Sequence, residues 1–247
     1  TTTLRGVAGQ AAAKWFKQKG IKKVGLLAEE IDYDQSGTPF VQAALKAEGI
    51  SSTVVNFPAT ATSLTSGMSQ LQSAGVQAVY FEGIGPAAGY ALAARNQLGW
   101  TAPFVTDPAA STIDLTTLVS KKQLSGVSEQ VNLTNDGSQS LPGVAELKSN
   151  LKAIGDTSNN LLSIPGFEWD FQIVLARAAQ QAKSTSAATL SKALENLSAS
   201  AQSDPLYVTA HKVGFTASTH DNAMASTSDF PVIGAGPVVA GQVQPYK

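Results

Sequence analysis

The chain has no cysteine, which excludes disulfides and thiolate metal sites. It also fits an oxidising compartment whose proteins do without thiols. Histidine is nearly as scarce. His211 and His220 are the only two, whereas a zinc site needs three or four ligands at suitable spacing, and nothing clusters beside either. Charged residues make up 14% of the chain, well below the ordinary share of about 25%, and Ala, Ser, Thr and Gly take their place. With 17 basic and 18 acidic residues the net charge is −1, so no basic field calls for nucleic acid. No apolar run reaches membrane-spanning length. The opening stretch, Thr1–Gln10, lacks the apolar middle of a secretory signal. The expectation for an exported protein is that its targeting segment has been removed.

What is present is a repeated alternation. At 247 residues with 43% hydrophobic, the chain exceeds one average domain and can bury a substantial core. Apolar runs read as strands at Lys23–Ala28, Thr53–Phe57, Gln77–Phe81 and Ala102–Thr106. Between them the three-to-four spacing of apolar residues predicts helices. These run over Gly9–Lys19, from Pro39 to Glu48, from Ser66 to Ala74 and from Pro86 to Leu98, with Gly20, Gly49, Gly75 and Gly99 as stops. Pro39 reads as a first-turn proline, so EEIDYDQSGTP before it reads as a polar loop. The alternation predicts βαβ units in a parallel sheet.

The second half breaks the pattern. Val127–Leu133 alternates and reads as a further strand. Three helical stretches then follow without a strand between them: Pro142–Ile154, Pro165–Lys183 and Ala187–Ala199. In the second, Phe167, Phe171, Val174, Leu175 and Ala178 form one apolar stripe that needs a partner surface. The tail holds β-like pieces at Lys212–Phe215 and Pro237–Val243.

Ligands of parallel sheets bind outside the carboxyl ends of the strands, which makes the residues just after each strand the candidates. Tyr33 follows the first strand beside Asp32, where an aromatic ring can stack on a ligand and offer a hydroxyl; an ordinary polar loop is the competing reading. EGIGPAAG over 82–89 follows the third strand. Its third glycine falls one place late for a dinucleotide motif, so Gly83, Ile84 and Gly85 read more simply as a tight turn before a helix N-terminus that can meet a polar ligand. Asp107 ends the fourth strand. It can bind an ammonium or cap its own turn. No nucleophile elbow or metal cluster is present, and no cofactor is expected.

AAAKWFKQKGIKKVGLLAEEIDYDQSG, ALKAEGISSTVVNFPATATSLTSGMSQLQSAGVQAVYFEGIG, ARNQLGWTAPFVTD, FEWDFQIVLARAAQQA and FTASTHDN follow one another in an order that resembles type I periplasmic solute-binding proteins of ABC transporters. The branch they are most similar to serves branched-chain (Leu/Ile/Val) amino acids. The resemblance implies two α/β lobes closing on a small ligand. Residues 1–126, completed by 232–247, would form one parallel-sheet lobe. Residues 127–231 would be the helical part of the other, its sheet and the family's N-terminal part missing from this chain. The resemblance further implies a cleft lined by Tyr33 and Gly83–Gly85, and a carboxylate, here Asp107, for a ligand ammonium.

On this reading the protein is no enzyme. It would be a periplasmic or extracellular solute-binding protein, lipid-anchored in some full-length forms. It would hold an amino acid or a related aromatic or aliphatic carboxylate and deliver it to an ABC permease. A ligand-sensing receptor of the same fold is the alternative, and a nucleotide-dependent enzyme a distant one.

Overall fold

A computed structural model describes residues 4–156 and 160–246; Thr1–Thr3 of the opening stretch and Lys247 of the tail lie outside the described residues. The apolar runs form a mostly parallel sheet. Its strands are β1 (Lys23–Glu29), β2 (Ser51–Phe57), β3 (Ala78–Glu82), β4 (Phe104–Thr106), β5 (Val127–Gln130) and β6 (Val232–Gly234), in the order β2-β1-β3-β4-β5-β6. The first five are parallel, and β6 pairs antiparallel with β5. β3 is buried throughout and β1 nearly so, as strands covered on both faces must be, and this is why both read as unbroken apolar runs.

The covering helices divide by face. α1 (Leu4–Gln18) and α2 (Asp32–Ala47) supply Ala12, Ala13, Phe16, Val41 and Leu45, packed on Val24, Leu26, Tyr80 and Val105. α3 (Thr65–Ser73) and α4 (Ala87–Gln97) supply Met68, Leu71, Ala88, Ala91 and Leu92 to the opposite face, packed on Leu27, Phe81 and Phe104. There Phe81 is stacked between Phe57 and Phe104, at ring-centroid distances of 5.7 and 5.8 Å.

The helices α5 (Pro142–Ala153), α6 (Ser163–Ala182), α7 (Ala187–Leu194) and α8 (Ala199–Gln202) pack on one another. Val174, Ala178, Ala193, Leu197 and Tyr207 form one cluster, and Val144, Leu147, Leu162 and Val208 another. Trp169 closes the latter and donates from Nε1 to the Leu206 carbonyl at 2.8 Å. The architecture is α/β, a parallel-sheet lobe joined to a helical part.

Several expectations need correction. α2 begins at Asp32, so the supposed loop is its first two turns and Pro39 lies inside the helix. One proline removes only one backbone bond, and the turns before it are held by tertiary contacts. Asp34 and Thr38 are buried, and the Thr38 hydroxyl bonds both the Asp34 carbonyl and Glu82. Val127–Leu133 is strand only to Gln130, and that strand is a member of the main sheet rather than an element leaving it. The stretch Ala187–Ala199 divides into α7 and α8, the second capped by the Ser198 hydroxyl. Lys212–Phe215 forms no strand. Pro237–Val243 becomes a hairpin of β7 (Val238–Val239) and β8 (Gln242–Val243). Its two turn residues, Ala240 and Gly241, both have positive φ, as tight hairpin turns require. At three residues, β6 is too short to show a period.

Phe81 offers a direct check of this core. Phe81→Ala is expected to lose about 3–5 kcal/mol of stability, read by urea denaturation, with Phe81→Leu losing much less. A loss within experimental error for the alanine variant would contradict the stacked packing.

Candidate functional site

Strand register builds the floor of the site. Phe81 pairs with Thr106, so Glu82 and Asp107 stand side by side at the carboxyl ends of β3 and β4. Side chains alternate along a strand, which puts both on the face of Tyr80 and Val105, beneath α1 and α2. Glu29, one place beyond the Ala28–Glu82 pair, falls on the other face. Its Oε2 accepts from the Ile84 N–H at 2.9 Å.

The first turns of α2 and α1 form the roof. Tyr33, Asp34, Gly37 and Thr38 lie on α2, and the Thr38 hydroxyl donates to Glu82 Oε2 at 2.9 Å. From α1, the Arg5 guanidinium lies 3.7 Å from the centroid of the Tyr33 ring. It donates from Nη1 to Ser36 Oγ at 3.1 Å and meets Asp34 Oδ1 at 3.5 Å. Gly37 leaves it room, since a Cβ there would fall 2.2 Å from the guanidinium carbon.

These groups open onto a cavity of about 450 Å³ between the strand ends and α6. Its near wall carries Arg5, Tyr33, Gly37, Glu82 and Asp107. The far wall is mostly apolar: Ile164, Phe167, Phe171, Val213 and Phe215. The volume and the apolar lining with few polar groups are those of a small-molecule pocket. Asp170, Asp221 and Asp229 also line it, but backbone amides occupy their oxygens. Asp170 accepts from Val208 and Thr209, Asp221 from Leu4 and Asn222, and Asp229 from His211 and Ser226.

The structure brings two of the six sequence candidates, Tyr33 and Asp107, into this cavity. Tyr33 is 48% exposed, while Asp107 is buried and accepts from the Ala110 N–H at 2.7 Å, so it caps its turn and faces the cavity at once. Asp32 is exposed at the start of α2 and does not line the cavity. Gly83 is buried against the Phe81 ring and Glu29, Ile84 is exposed, and Gly85 takes a positive φ of 61°. None of these three lines the cavity, and the Ile84 N–H is already taken by Glu29.

Sequence reasoning missed Glu82, Asp34 and Arg5. Glu82 had a signal, a lone carboxylate closing an apolar strand. Arg5 had none, because nothing in the sequence ties α1 to the mouth of β3. Phe167 and Phe171 belong to the apolar stripe that needs a partner surface, and both are substantially exposed and line the cavity. Among the described residues no group of side chains could hold a metal ion.

Burial shapes the electrostatics. Desolvation pushes the Glu82 carboxyl up to about 7, against the pull of the Thr38 hydroxyl, with neighbouring Asp34 adding to the rise. Desolvation pushes Asp34 up to about 6, opposed by Arg5. Asp107 is pushed well above the usual range by burial, with Asp34 and Glu82 adding to the rise. Burial and the neighbouring Asp107 also raise the Tyr33 hydroxyl. Among the described residues Asp34 Oδ2 has no hydrogen-bond partner. Glu129, deep in β5, is pushed up to about 8 by burial. The Gly236 amide eases it only from outside good hydrogen-bond geometry, and both its oxygens lack partners among the described residues.

A family model described as periplasmic binding protein matches residues 2–227. No curated protein matches by sequence. Solved structures match in fold. One is a type 1 periplasmic binding protein from Bordetella pertussis, at 17% identity and TM-score 0.76, covering 98% of this chain and 66% of that one. Another is a branched chain amino acid ABC transporter protein from Thermus thermophilus with bound valine, at 16% and 0.75, covering 100% and 65%. A third is a fatty acid ABC transporter substrate-binding protein from Thermomonospora curvata, at 17% and 0.74, covering 99% and 62%. The chain thus spans just under two thirds of the length of these structures.

The raised carboxyls dictate a pH dependence. Asp34, Glu82 and Glu129 keep their protons to about 6, 7 and 8 in the folded chain. The same groups lose them near pH 4 when unfolded. Across that window the folded chain binds more protons, so its stability falls as pH rises. The melting temperature is expected to be higher at about pH 5 than at about pH 8, and Glu82→Gln should narrow the difference. A melting temperature that climbs over this range would contradict the buried cluster.

Proposed function

We propose that this chain, which belongs to the periplasmic binding protein family, holds a small amino acid or related compound in the cavity at the strand ends, for delivery to an ABC permease. The observation that carries this reading is the pairing of Glu82 with Asp107 at adjacent strand ends, facing an apolar wall built by α6. An ammonium group is the natural partner for two carboxylates in a cavity whose remaining acids are occupied by backbone amides. The rings of Phe167 and Phe171 offer apolar area to the ligand's side chain. The neighbours' titles name both a valine complex and a fatty acid transporter protein, so the fold alone leaves the ligand open. The carboxylate pair favours the amino acid. The family places the protein outside the cytoplasm, and among the described residues no helix is long and apolar enough to cross a membrane.

The acids of the cavity are held in place: Asp107, Asp170, Asp221 and Asp229 accept from backbone amides and Glu82 from the Thr38 hydroxyl, an arrangement that favours binding over turnover. In relatives with a second sheet the cleft closes around the ligand by hinge motion. The exposed rings of Phe167 and Phe171 offer an apolar surface to such a partner sheet.

Isothermal titration calorimetry against amino acids with apolar side chains tests the reading. A bound ammonium favours ionised Glu82 and Asp107, both raised by burial, so binding expels protons held at lower pH. Affinity is therefore expected to rise between about pH 5 and about pH 8, then level off. Glu82→Gln should weaken binding roughly ten- to hundredfold, the worth of one hydrogen bond to a charged group. Binding that is unchanged in Glu82→Gln, or that weakens as pH rises, would refute it.

A further inference from the structure

We propose that Arg5 receives the carboxylate of the ligand, so that the cavity reads both ends of a zwitterion. The inference rests on the function proposed above, with the ligand's ammonium at Glu82 and Asp107. Arg5 is the one Lys or Arg side chain that lines the cavity among the described residues; His220, which also lines it, lies mostly in solvent, 3.7 Å from Glu195.

The placement of Arg5 is built rather than incidental. One face of its guanidinium lies on the Tyr33 ring, and the other side of the slot is a glycine, Gly37, at a position where any Cβ would collide with it. Both residues come from the first turns of α2, the helix that also supplies the Thr38 bond to Glu82. The roof of the cavity thus fixes its cationic and anionic ends relative to each other.

The guanidinium is also underused. Its contact with Asp34 is a single one at 3.5 Å, long for a charge-assisted bond. The second Asp34 oxygen has no partner among the described residues, so the pair is not the bidentate fork that an arginine and a carboxylate make at full strength. With five N–H donors, Arg5 keeps capacity for an incoming carboxylate. Leu4, beside it in α1, also lines the cavity.

A crossed set of ligands tests the role. Phenylalanine and leucine carry both charges, their primary amides only the cation, and their N-acetyl forms only the anion. Calorimetry is expected to show the unmodified chain binding the amino acids at least tenfold more tightly than the amides. Arg5→Gln should weaken the amino acids about tenfold or more. The same variant should leave amide binding unchanged or strengthen it, because a like charge has been removed from beside the ammonium. That opposite response is what a merely structural arginine, one that only steadies Tyr33, would not produce. Arg5→Lys keeps the charge without the fork and should lie between; it carries the test if Arg5→Gln does not fold.

Equal weakening of amino acids and amides in the Arg5 variants, or an unmodified chain that binds the amides as tightly as the amino acids, would overturn the assignment. Binding that depends on Glu82 but not on Arg5 would sink this inference alone and leave the proposed function standing. Binding of no member of the panel, or binding indifferent to both residues, would sink both.

Discussion

Asp34, Glu82 and Asp107 are buried against one another with one guanidinium, that of Arg5, as their neighbouring cation, and the behaviour of the site follows from that imbalance. Removing an ionised carboxylate from water is unfavourable unless a counter-charge or hydrogen bonds compensate. Here compensation is partial: a hydroxyl for Glu82, one backbone amide for Asp107 and a long contact for Asp34. The cluster can relieve the deficit by keeping protons, which is the direction in which burial moves all three groups. A cation entering the cavity relieves it in another way. The same arrangement therefore sets the pH response of the folded chain and is the one that the proposed ammonium would answer.

The imbalance is a consequence of strand register. One pairing, Phe81 with Thr106, sets Glu82 beside Asp107, and a slip of one residue would turn both to the opposite face. That face belongs to the aromatic stack of Phe57, Phe81 and Phe104, whose burial holds the register. The packing on one side of the sheet thereby determines the electrostatics on the other.

The alternation of apolar runs with helices was legible because strands buried on both faces leave unbroken Val/Leu/Phe segments, and the βαβ order followed from it. Boundaries were less so. Pro39 misled because a local rule about proline met a helix whose first turns are held by contacts with Arg5 and Glu82, residues distant in sequence. Of the site, Tyr33 and Asp107 were legible from their position after strands. Glu82 was passed over in favour of the glycines beside it, although a carboxylate closing an apolar strand was the stronger sign. Arg5 could not be read at all. Its role depends on a slot between Tyr33 and Gly37, and only the packing of α1 against α2 creates that slot.

The stripe on α6 shows how one pattern serves two ends. Its apolar residues form one stripe in need of a partner surface, and the stripe divides: Val174 and Ala178 are buried among α7 and α8 while Phe167 and Phe171 remain exposed toward the cavity. A helix whose apolar face is wider than its own bundle needs must present the surplus elsewhere. Presented to the cavity, these rings make its far wall apolar, and a charge interaction beside apolar surface is less screened than one in open solvent. The apolar wall and the acidic floor are thus complementary: the first strengthens whatever the second attracts. The solved structures share the fold at 16–17% identity, and what this chain sets on that fold at the cavity is a carboxylate pair, a stacked arginine and two phenylalanines.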